Sequence, residues 1–435
     1  MSHNKYYDIV IIGAGASGLL SACLLACSGK SILVLEKEDR VGRKLSATGN
    51  GRCNLTNLSM GWKNYYGDKE FVTSVINTVT PARVIDTFNQ LGVLTREKDG
   101  YVYPHSNQAA TVIGALYKGC RKPNVHIELS ARVTDVWCED AYDATGVASE
   151  VSVGKVSEQE SERFSDDEML SEKDIIDVDE FTGQVTHVPA RFEIETDSCD
   201  YGCDTLILAT GGPAGKEQGG CADGYTFLKK LGHSVTDVYP GLTGMNAAGR
   251  FWKEVAGTRV QGSFSLYVDG KQQGSETGEI QITKTGVSGI PVFQMCRVAA
   301  EGLVADKPVW GEIDFVPTLG QAELEKWIDE NGFDGLVPTK WIPVIGNGQK
   351  SAAQIAKTLK HFEFTITDTY GIEKAQVSAG GVPVSEIDSE SFESLRCPGL
   401  YVLGELVDVD GMCGGYNLHL AWASAIIASE SIINS

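Results

Sequence analysis

The N-terminal segment alternates between apolar and glycine-rich stretches in an order that predicts a strand, a helix and a second strand. Residues 7–12, YDIVII, form a short β-branched run that is typical of a buried parallel strand. Residues 13–18, GAGASG, follow directly, and residues 19–27 then have helical character until Gly29. Residues 31–36, SILVLE, form the second apolar run. The pattern therefore predicts a complete βαβ unit of about thirty residues.

Three glycines stand at the spacing that a dinucleotide-binding turn requires. Gly13 permits the tight turn, Gly15 lets the backbone approach a pyrophosphate, and Gly18 allows the helix to pack closely on the strand. The helix N-terminus offers N–H groups and a positive dipole end to phosphates. Glu36 ends the second strand, where its carboxylate can bind ribose hydroxyl groups. We predict nucleotide binding. A signal peptide or membrane span over 9–27 is disfavoured, because the glycines interrupt it and a strand follows.

Two later apolar runs distinguish FAD from NAD. Residues 203–212, CDTLILATGG, predict a strand that ends in Ala-Thr-Gly-Gly, and residues 398–405, PGLYVLGE, predict one that ends in Gly-Glu. Both resemble segments of the glutathione-reductase-like FAD folds, in which the first lies near FAD and the second meets the ribityl–phosphate region. Glu405 stands where those folds usually have Asp. The resemblance implies an α/β protein with a Rossmann-like FAD domain that is split by inserted sequence.

The stretch 42–57, GRKLSATGNGRCNLTN, is predicted to be a loop over the flavin. It has no amphipathic period, and it is too polar for a core strand and too rich in glycine for a stable helix. Arg43 and Lys44 would counter the pyrophosphate charge, and Asn54 and Thr56 would supply neutral hydrogen bonds. The alternative is a mobile basic surface loop, which is rarely found at this place in the fold.

The same stretch resembles the GRKxxxTGxGRCNxTN signature of a bacterial flavoprotein family, the BaiN-like and aminoacetone-oxidase-type NAD(P)/FAD-dependent oxidoreductases. Residues 100–107, 278–289 and 380–418 resemble other segments of that family, so the resemblance spans nearly the whole chain. It implies non-covalent FAD and allows NAD(P)H as a transient electron donor. It also implies one of two reactions: reduction of an activated C=C bond, as in an oxo-bile acid or steroid enone, or oxidation of a small amine such as aminoacetone.

Two further functions stay open. Residues 219–225, GGCADGY, resemble a segment of fumarate reductases and ketosteroid dehydrogenases, which suggests a flavoenzyme of that type. A non-catalytic flavin-binding redox sensor is the alternative from another class. It is disfavoured, because a domain inserted over a flavin normally builds a substrate cleft.

The expected FAD contacts come from the glycine turn, the basic stretch and the later segments. They are Gly13, Gly15, Ala16, Ser17, Gly18, Glu36, Lys37, Gly42, Arg43, Lys44, Thr48, Asn50, Gly51, Arg52, Cys53, Asn54, Val133, Ala209, Thr210, Gly211, Gly212, Gly404, Glu405, Asp408, Gly414, Gly415, Tyr416, Asn417 and Leu418. Gly414 and Gly415 begin an apolar helix, and the resemblance implies that its N-terminus points at the flavin, as such a helix does in related folds. The residues alone do not assign the catalytic groups; Tyr103, His105 and Tyr416 are the candidates.

For three residues near the expected flavin region, a structural role is favoured over a chemical one. Cys53 and Cys413 flank that region, but no partner cysteine stands close by, so packing is favoured over thiol chemistry. We expect His419 to be a satisfied polar histidine rather than a proton donor.

Composition limits the classes of partner that the protein is expected to bind. The net charge is −21, which disfavours nucleic acid and anionic membranes because the long-range field repels phosphates. The eleven cysteines show no CxxC spacing, which predicts reduced thiols in a cytoplasmic protein and no metal site. A small-molecule substrate is therefore expected, and the oligomeric state stays open.

The resemblance to split FAD folds, together with the apolar pattern, implies the limits of the domains. Residues 1–215 and 372–435 would form the FAD domain, with meander strands over 125–137 and 191–196 and a solvated acidic insertion over 141–185. Residues 216–371 would form an inserted substrate domain. In that domain, residues 235–318 alternate short β patterns with turns and resemble the small β-barrel of the family, and the amphipathic patterns of residues 320–370 predict helices.

Overall fold

The computed structural model describes residues 5–138, 176–178, 185–187, 190–346, 348 and 351–435. Most of the predicted acidic insertion, 141–185, lies outside them. The helices are α1 (Ala16–Leu25), α2 (Arg43–Gly51), α3 (Lys69–Thr78), α4 (Pro81–Gln90), α5 (Ala109–Gly119), α6 (Asp223–Lys230), α7 (Trp252–Val255), α8 (Ile290–Phe293), α9 (Cys296–Val304), α10 (Gln321–Asn331), α11 (Ile342–Ile345), α12 (Ala352–Lys360) and α13 (Tyr416–Asn434).

The strands are β1 (Lys5–Ile12), β2 (Ile32–Glu36), β3 (Thr56–Asn57), β4 (Tyr65–Tyr66), β5 (Thr95–Lys98), β6 (Tyr101–Pro104), β7 (Val125–Leu129), β8 (Val133–Cys138), β9 (Ile176–Val178), β10 (Val185–His187), β11 (Phe192–Thr196), β12 (Asp200–Leu208), β13 (Tyr239–Gly241), β14 (Met245–Ala247), β15 (Arg259–Val268), β16 (Lys271–Ile282), β17 (Gly286–Ser288), β18 (Val309–Asp314), β19 (Phe362–Thr369), β20 (Val377–Ala379), β21 (Leu400–Val402) and β22 (Asp410–Gly411).

A seven-stranded sheet carries the predicted βαβ unit. Its strand order is β7-β2-β1-β12-β11-β8, and β21 also pairs with β12. The neighbours β7, β2, β1 and β12 run parallel, whereas β11 is antiparallel to both β12 and β8. Side chains at the centre of β1, such as Ile9 and Val10, are fully buried, as parallel strands covered on both faces require. Of the predicted meander, β8 and β11 form an antiparallel pair, but β7 is instead a parallel edge strand.

The C-terminal part of the chain returns to the same sheet. Strand β21 pairs in parallel with the last residues of β12, Leu206–Leu208, and β11 occupies the first half of that strand. Helix α13 then packs on α1, and Leu420, Trp422 and Ile426 of α13 join the core around the sheet. The FAD-type domain is therefore built from both ends of the chain.

The inserted part contains a closed six-stranded barrel in the order β14-β17-β16-β15-β18-β19. Its core is separate from that of the sheet and includes Phe264, Ile280, Ile313 and Phe364, with Trp341 at its helical side. The predicted fold class, a split Rossmann-like domain with an inserted barrel and helices, is confirmed. No helix in the described residues is long and apolar enough to cross a membrane.

The prediction of helices throughout 320–370 is wrong at its end. Helices α10, α11 and α12 lie there, but Phe362–Thr369 is strand β19, which closes the barrel by pairing with β18 and β14. Phe364 and Ile366 face the core while the residues between them are exposed. This alternation has the period of two that a half-buried strand requires, and it was readable in the sequence FEFTITDT.

The predicted limit of the inserted domain at residue 216 stays a prediction, but core packing favours a later one. Tyr225, Phe227 and Leu228 of α6 belong to the core around the seven-stranded sheet. Met245 is the first residue along the chain that belongs to the barrel core. We therefore propose a limit near residue 242.

Candidate cofactor and substrate site

The turn between β1 and α1 is shaped by backbone contacts that only glycine allows. Gly13 has a φ of +103°, and a Cβ on it would lie 2.5 Å from the carbonyl oxygen of Ala209. A Cβ on Gly18 would lie 1.9 Å from the carbonyl oxygen of Gly13. A Cβ on Gly15, by contrast, would meet no atom within 4 Å. Gly13 and Gly18 are thus required by packing, whereas Gly15 keeps a space in front of the α1 N-terminus.

Glu36 is held in a fixed orientation at the end of β2. Its Oε2 accepts a hydrogen bond from the Ala14 N–H at 2.8 Å, and its Oε1 accepts one from the Glu38 N–H at 3.0 Å. Burial raises the pKa of this carboxyl above its ordinary value, while the two N–H groups oppose that rise. The carboxylate therefore lies beside the glycine turn with both oxygens oriented by backbone donors.

These elements surround a cavity of ≈ 680 Å³, here named the glycine-turn cavity. The predicted contacts that line it are Gly13, Gly15, Glu36, Lys37, Arg43, Lys44, Val133, Ala209, Thr210 and Gly212. Its charges are largely paired: Arg43 forms an ion pair with Glu38, and Arg132 forms one with Asp223 at 3.2 Å.

The basic stretch after β2 is partly helical, which corrects the prediction of a loop. Helix α2 follows Gly42, whose φ is +67° and whose N–H donates to the Ala14 carbonyl at 2.8 Å. The helix is interrupted at Thr48, Gly49 and Asn50, which have non-helical dihedral angles. Leu45, which is 2% exposed, anchors the helix in the core. Tertiary packing here overrides the poor intrinsic helix propensity of the sequence.

Lys44 connects the basic stretch to the returning C-terminal segment. Its Nζ lies 2.7 Å from Oε2 of Glu405, while Oε1 of Glu405 accepts a hydrogen bond from the Ser378 N–H at 2.7 Å. Glu405 itself does not line either cavity. Its carboxylate instead fixes Lys44, which borders the glycine-turn cavity and the neighbouring cleft.

A larger cleft of ≈ 1630 Å³, here named the barrel-side cleft, adjoins the first cavity, and Lys44 and Gln218 line both. The predicted residues that line the cleft are Lys44, Thr48, Asn50, Arg52, Asn54, Tyr103, Gly414, Gly415, Asn417 and Leu418. The barrel region contributes Gln281, Gly289 and Phe293. The cleft is therefore built by both parts of the chain, with the N-terminus of α13 opening into it.

The two cavities together fit FAD. The glycine turn and α1 suit a pyrophosphate, and Glu36 lies where an adenosine ribose would bind. Oδ1 of Asn54, a residue that lines the cleft, is buried and has no hydrogen-bond partner among the residues that the structure describes. Asn54 packs against Gly415, whose φ is +96°. A Cβ on Gly415 would lie only 3.0 Å from the side-chain atoms of Asn54, so the position favours glycine. A buried amide oxygen that lacks a donor, beside a helix N-terminus, is a group that the N–H of a bound heteroaromatic ring would satisfy.

The family described as the HI0933-like protein Rossmann domain matches residues 7–157 and 172–431. The chain belongs to this HI0933-like family. The match leaves out residues 158–171, inside the predicted acidic insertion. It confirms the predicted family of FAD-dependent oxidoreductases.

Full-length relatives carry two kinds of name. The HI0933-like chain is 32% identical to a 3-dehydro-bile acid Δ(4,6)-reductase of Clostridium scindens, over 97% of this chain and 98% of that protein. It is 27% identical to a ribosomal RNA dihydrouridine synthase of Haemophilus influenzae, over 99% of both chains. A protein of the same name from Escherichia coli is 25% identical over 98% of both.

A solved structure, the 3-ketosteroid-Δ4-(5α)-dehydrogenase of Rhodococcus jostii, is similar with a TM-score of 0.44 and 14% identity, over 98% of this chain and 97% of that one. That likeness is too distant to bear on the reaction.

Several residues predicted from the sequence lie outside both cavities of the HI0933-like chain. They are Ala16, Ser17, Gly18, Gly42, Gly51, Cys53, Gly211, Gly404, Glu405, Asp408, Tyr416 and His105. His105 is exposed, whereas Tyr416 is buried and its hydroxyl donates to the Ser59 carbonyl at 3.4 Å. Burial raises the pKa of Cys53 to about 12, so its thiol stays protonated. Tyr103 is the one of the three catalytic candidates that lines the cleft.

His419 is a buried core histidine with both ring nitrogens paired. Its Nε2 lies 2.8 Å from the Val79 carbonyl oxygen and must donate, so Nδ1 accepts from the Thr56 hydroxyl at 2.8 Å. Burial lowers its pKa to about 4, which keeps the ring neutral.

Part of the lining of both cavities was not predicted from the sequence. The glycine-turn cavity also contains Ala14, Glu38, Arg132, Gln218, Cys221 and Asp223, and the cleft also contains Tyr101, Gln281, Phe293 and Lys374. The sequence singles out the GGCADGY segment by its resemblance alone, and the structure places its Cys221 and Asp223 in the lining of the cavity. No local pattern marks Lys374, because it reaches the cleft only through the fold.

Proposed function

We propose that this protein reduces a carbon–carbon double bond conjugated to a carbonyl group, as in a 3-oxo steroid dienone, with NAD(P)H as the electron donor. The full-length relative from Clostridium scindens is named for such a reaction on 3-dehydro-bile acids. Dihydrouridine, in the names of the other two relatives, also differs from its parent by two hydrogens across a bond conjugated to a carbonyl. The shared feature is an electron-poor double bond.

The observation that carries the proposal is the cleft beside the cofactor cavity, which Tyr101 and Tyr103 line. When bound, FAD supplies the hydride for such a reduction. The remaining requirement is a proton for the α-carbon of the substrate. Tyr103 lines the cleft, and burial raises the pKa of its phenol, which therefore keeps its proton at neutral pH. We assign Tyr103 as the general acid. Overall, the substrate gains H⁻ and H⁺, and NAD(P)H becomes NAD(P)⁺.

The chain also positions this acid. The guanidinium of Arg52 lies over the Tyr103 ring, 5.5 Å from its centroid, and the Tyr101 ring stacks beside it with centroids 6.5 Å apart. These contacts favour the observed orientation of the Tyr103 ring in the lining of the cleft. A restricted donor spends less entropy when the substrate arrives.

The test is a reduction assay with the purified yellow protein. A 3-oxo-4,6-dienoic bile acid and NADH or NADPH are mixed without oxygen, and loss of the dienone absorbance is followed. The proposal expects loss of dienone and one NAD(P)H per double bond reduced. Aminoacetone with O₂ is the second arm. Hydrogen peroxide from aminoacetone, with the dienone untouched, would replace the proposal by the amine-oxidase alternative.

A second candidate is reduction of a uridine in ribosomal RNA. It is favoured by the names of two full-length relatives and by the cations and paired tyrosines of the cleft, which suit a phosphate and a stacked base. The net charge of −21 opposes it. In vitro transcribed ribosomal RNA, incubated under the same conditions and analysed for dihydrouridine by mass spectrometry, decides between the two.

A further inference from the structure

We propose that the barrel-side cleft contains an anion subsite formed by Arg52 and Lys374, which binds a carboxylate carried by a small apolar substrate. The inference rests on the proposed reductase function, because it specifies the chemical class of that substrate.

The charges of the cleft are all of one sign. Among the described residues, its charged lining consists of Lys44, Arg52 and Lys374, and no Asp or Glu lines it. The whole chain, by contrast, carries a net charge of −21. Lys44 is neutralised by Glu405, 2.7 Å away. Within the described ranges neither Arg52 nor Lys374 forms an ion pair, so two positive charges remain for a ligand.

Two contacts hold the guanidinium of Arg52 in an orientation that suits a carboxylate. Its Nε donates to the Gly49 carbonyl at 3.0 Å, and its guanidinium lies over the Tyr103 ring. The terminal nitrogens of the guanidinium have no hydrogen-bond partner among the described residues. A guanidinium held in this way presents a planar pair of donors that matches a carboxylate.

Lys374 comes from a different segment, directly before β20, and its Nζ lies 5.9 Å from the centroid of the Tyr370 ring. Its ammonium is thus supported by an aromatic face and not by a carboxylate. The two cations therefore border one cleft from segments that are more than three hundred residues apart.

The rest of the lining selects the kind of molecule that carries the anion. Leu242, Ile290, Phe293, Met412 and Leu418 line the same cleft, and the Ile290 side chain is 53% exposed. An exposed apolar wall is stabilised when a hydrophobic ligand covers it. The apolar wall and the cationic lining together fit an amphipathic carboxylate. They fit a nucleic acid less well, because a nucleic acid offers many phosphates and little apolar surface.

The experiment measures equilibrium binding to the FAD-loaded enzyme. The probes are a saturated 3-oxo-cholanoate, which has no double bond to reduce, and its uncharged methyl ester. The variants are Arg52→Gln, Lys374→Gln and the double variant. Lys216→Gln is the matched control, because Lys216 does not line the cleft and is paired with Glu373 at 3.2 Å. Flavin absorbance changes report binding, and FAD content is measured for every variant.

We expect each single variant to bind the acid about threefold to fivefold more weakly, as for partly exposed ion pairs, and the double variant more weakly still. Because Arg52 would then serve the substrate and not FAD, as first expected, affinity for the ester and FAD content should stay at wild-type values, and Lys216→Gln should change nothing. Equal losses for acid and ester, unchanged acid binding, or loss of FAD would overturn the subsite.

Other sources of the anion are separate arms. If the variants weaken NADPH but not NADH, and leave the acid unaffected, the cations serve the nicotinamide cofactor and the proposal is wrong. If an RNA oligonucleotide binds in their place while the acid does not, the substrate class is wrong. Because the saturated probe cannot be reduced, its binding is measured even if the dienone is never turned over. Failure of the reductase function is therefore distinguishable from failure of the subsite.

Discussion

The glycine-turn cavity and the barrel-side cleft adjoin each other but handle charge in opposite ways. In the first, Arg43 is paired with Glu38 and Arg132 with Asp223. In the second, Arg52 and Lys374 have no carboxylate partner among the described residues. A cavity whose charges are already satisfied suits a resident cofactor that is recognised through backbone N–H groups and shape. A cleft with unmatched cations suits a ligand that brings its own charge and leaves again.

The two regions also differ in how the chain builds them. The glycine-turn cavity depends on the turn of three residues between β1 and α1 and on Gly18 in the first turn of α1, where backbone atoms contact each other directly. The barrel-side cleft is lined by side chains from α2, β6, α8 and α13, which approach one another only in the folded chain. Substitutions should therefore abolish cofactor binding in the first region and change the rate or affinity for substrate in the second.

The largest effect is expected for Gly18→Ala. Its Cβ would lie 1.9 Å from the Gly13 carbonyl oxygen, and neither backbone segment can move without separating α1 from β1. We expect no FAD-bound protein and little soluble protein. Gly15→Ala is the control, because its Cβ meets no atom within 4 Å. That variant should fold with a similar Tm and lose FAD affinity alone. Equal behaviour of the two variants would remove the distinction between packing and ligand glycines.

A loss of about a hundredfold in kcat is expected for Tyr103→Phe in dienone reduction, because the cleft loses its proton donor. The FAD content and the binding of the saturated probe should not change. Tyr416→Phe is the matched control, since Tyr416 is buried outside the cleft. Stopped-flow measurement should show that reduction of the flavin by NAD(P)H is unaffected, while its reoxidation by the dienone is slow. A normal rate for Tyr103→Phe would reassign the acid to Tyr101 or to water.

A smaller loss, in cofactor affinity, is expected for Glu36→Ala. A charge-assisted hydrogen bond to ribose contributes roughly 1.5–3 kcal/mol, which corresponds to about a tenfold to hundredfold weaker FAD binding. Glu405→Asp should have less effect, because Glu405 acts on the site through Lys44 and the Ser378 N–H. FAD titration of the two apoproteins gives the comparison. Weaker binding by the Glu405→Asp variant than by Glu36→Ala would show that the roles are reversed.

Ten of the expected residues line each cavity, but the sequence located the glycine-turn cavity more directly, because its central elements lie in one continuous segment. The strand, the glycines and Glu36 lie within one continuous segment, so spacing alone located them. The Lys44–Glu405 pair joins residues 361 positions apart, and no local pattern could show it. Lys374 and Phe293 reach the cleft only through the placement of the barrel.

The two errors in secondary structure have different causes. Helix α2 was missed because Leu45 burial and the Gly42 N–H bond to Ala14 are tertiary interactions that local propensity does not contain. Strand β19 was missed although Phe364 and Ile366 alternate with polar residues, so there the signal was present in the sequence.

The smallest effect is expected in the pH dependence of stability. It concerns His419, on the side of α13 that faces the core, whereas the N-terminus of α13 borders the cleft. The pKa of His419 is lowered from 6.5 to about 4 in the folded chain, mainly by burial. As the pH falls below about 6.5, the unfolded chain takes up this proton first, so the stability contribution is lost progressively down to about pH 4. At pH 5 the loss should be about 2 kcal/mol.

Wild-type and His419→Gln proteins should be compared by thermal denaturation between pH 7.5 and 5. Other buried groups also titrate in this range, so the informative quantity is the difference between the two slopes. His419→Gln should be less stable at pH 7.5 but should lose less Tm on acidification. His105→Gln, at an exposed position, should keep the wild-type slope. Parallel slopes for all three proteins would show that His419 is accessible to protons in the folded state, and that α13 is less firmly packed beneath the cleft than its hydrogen bonds to Thr56 and Val79 indicate.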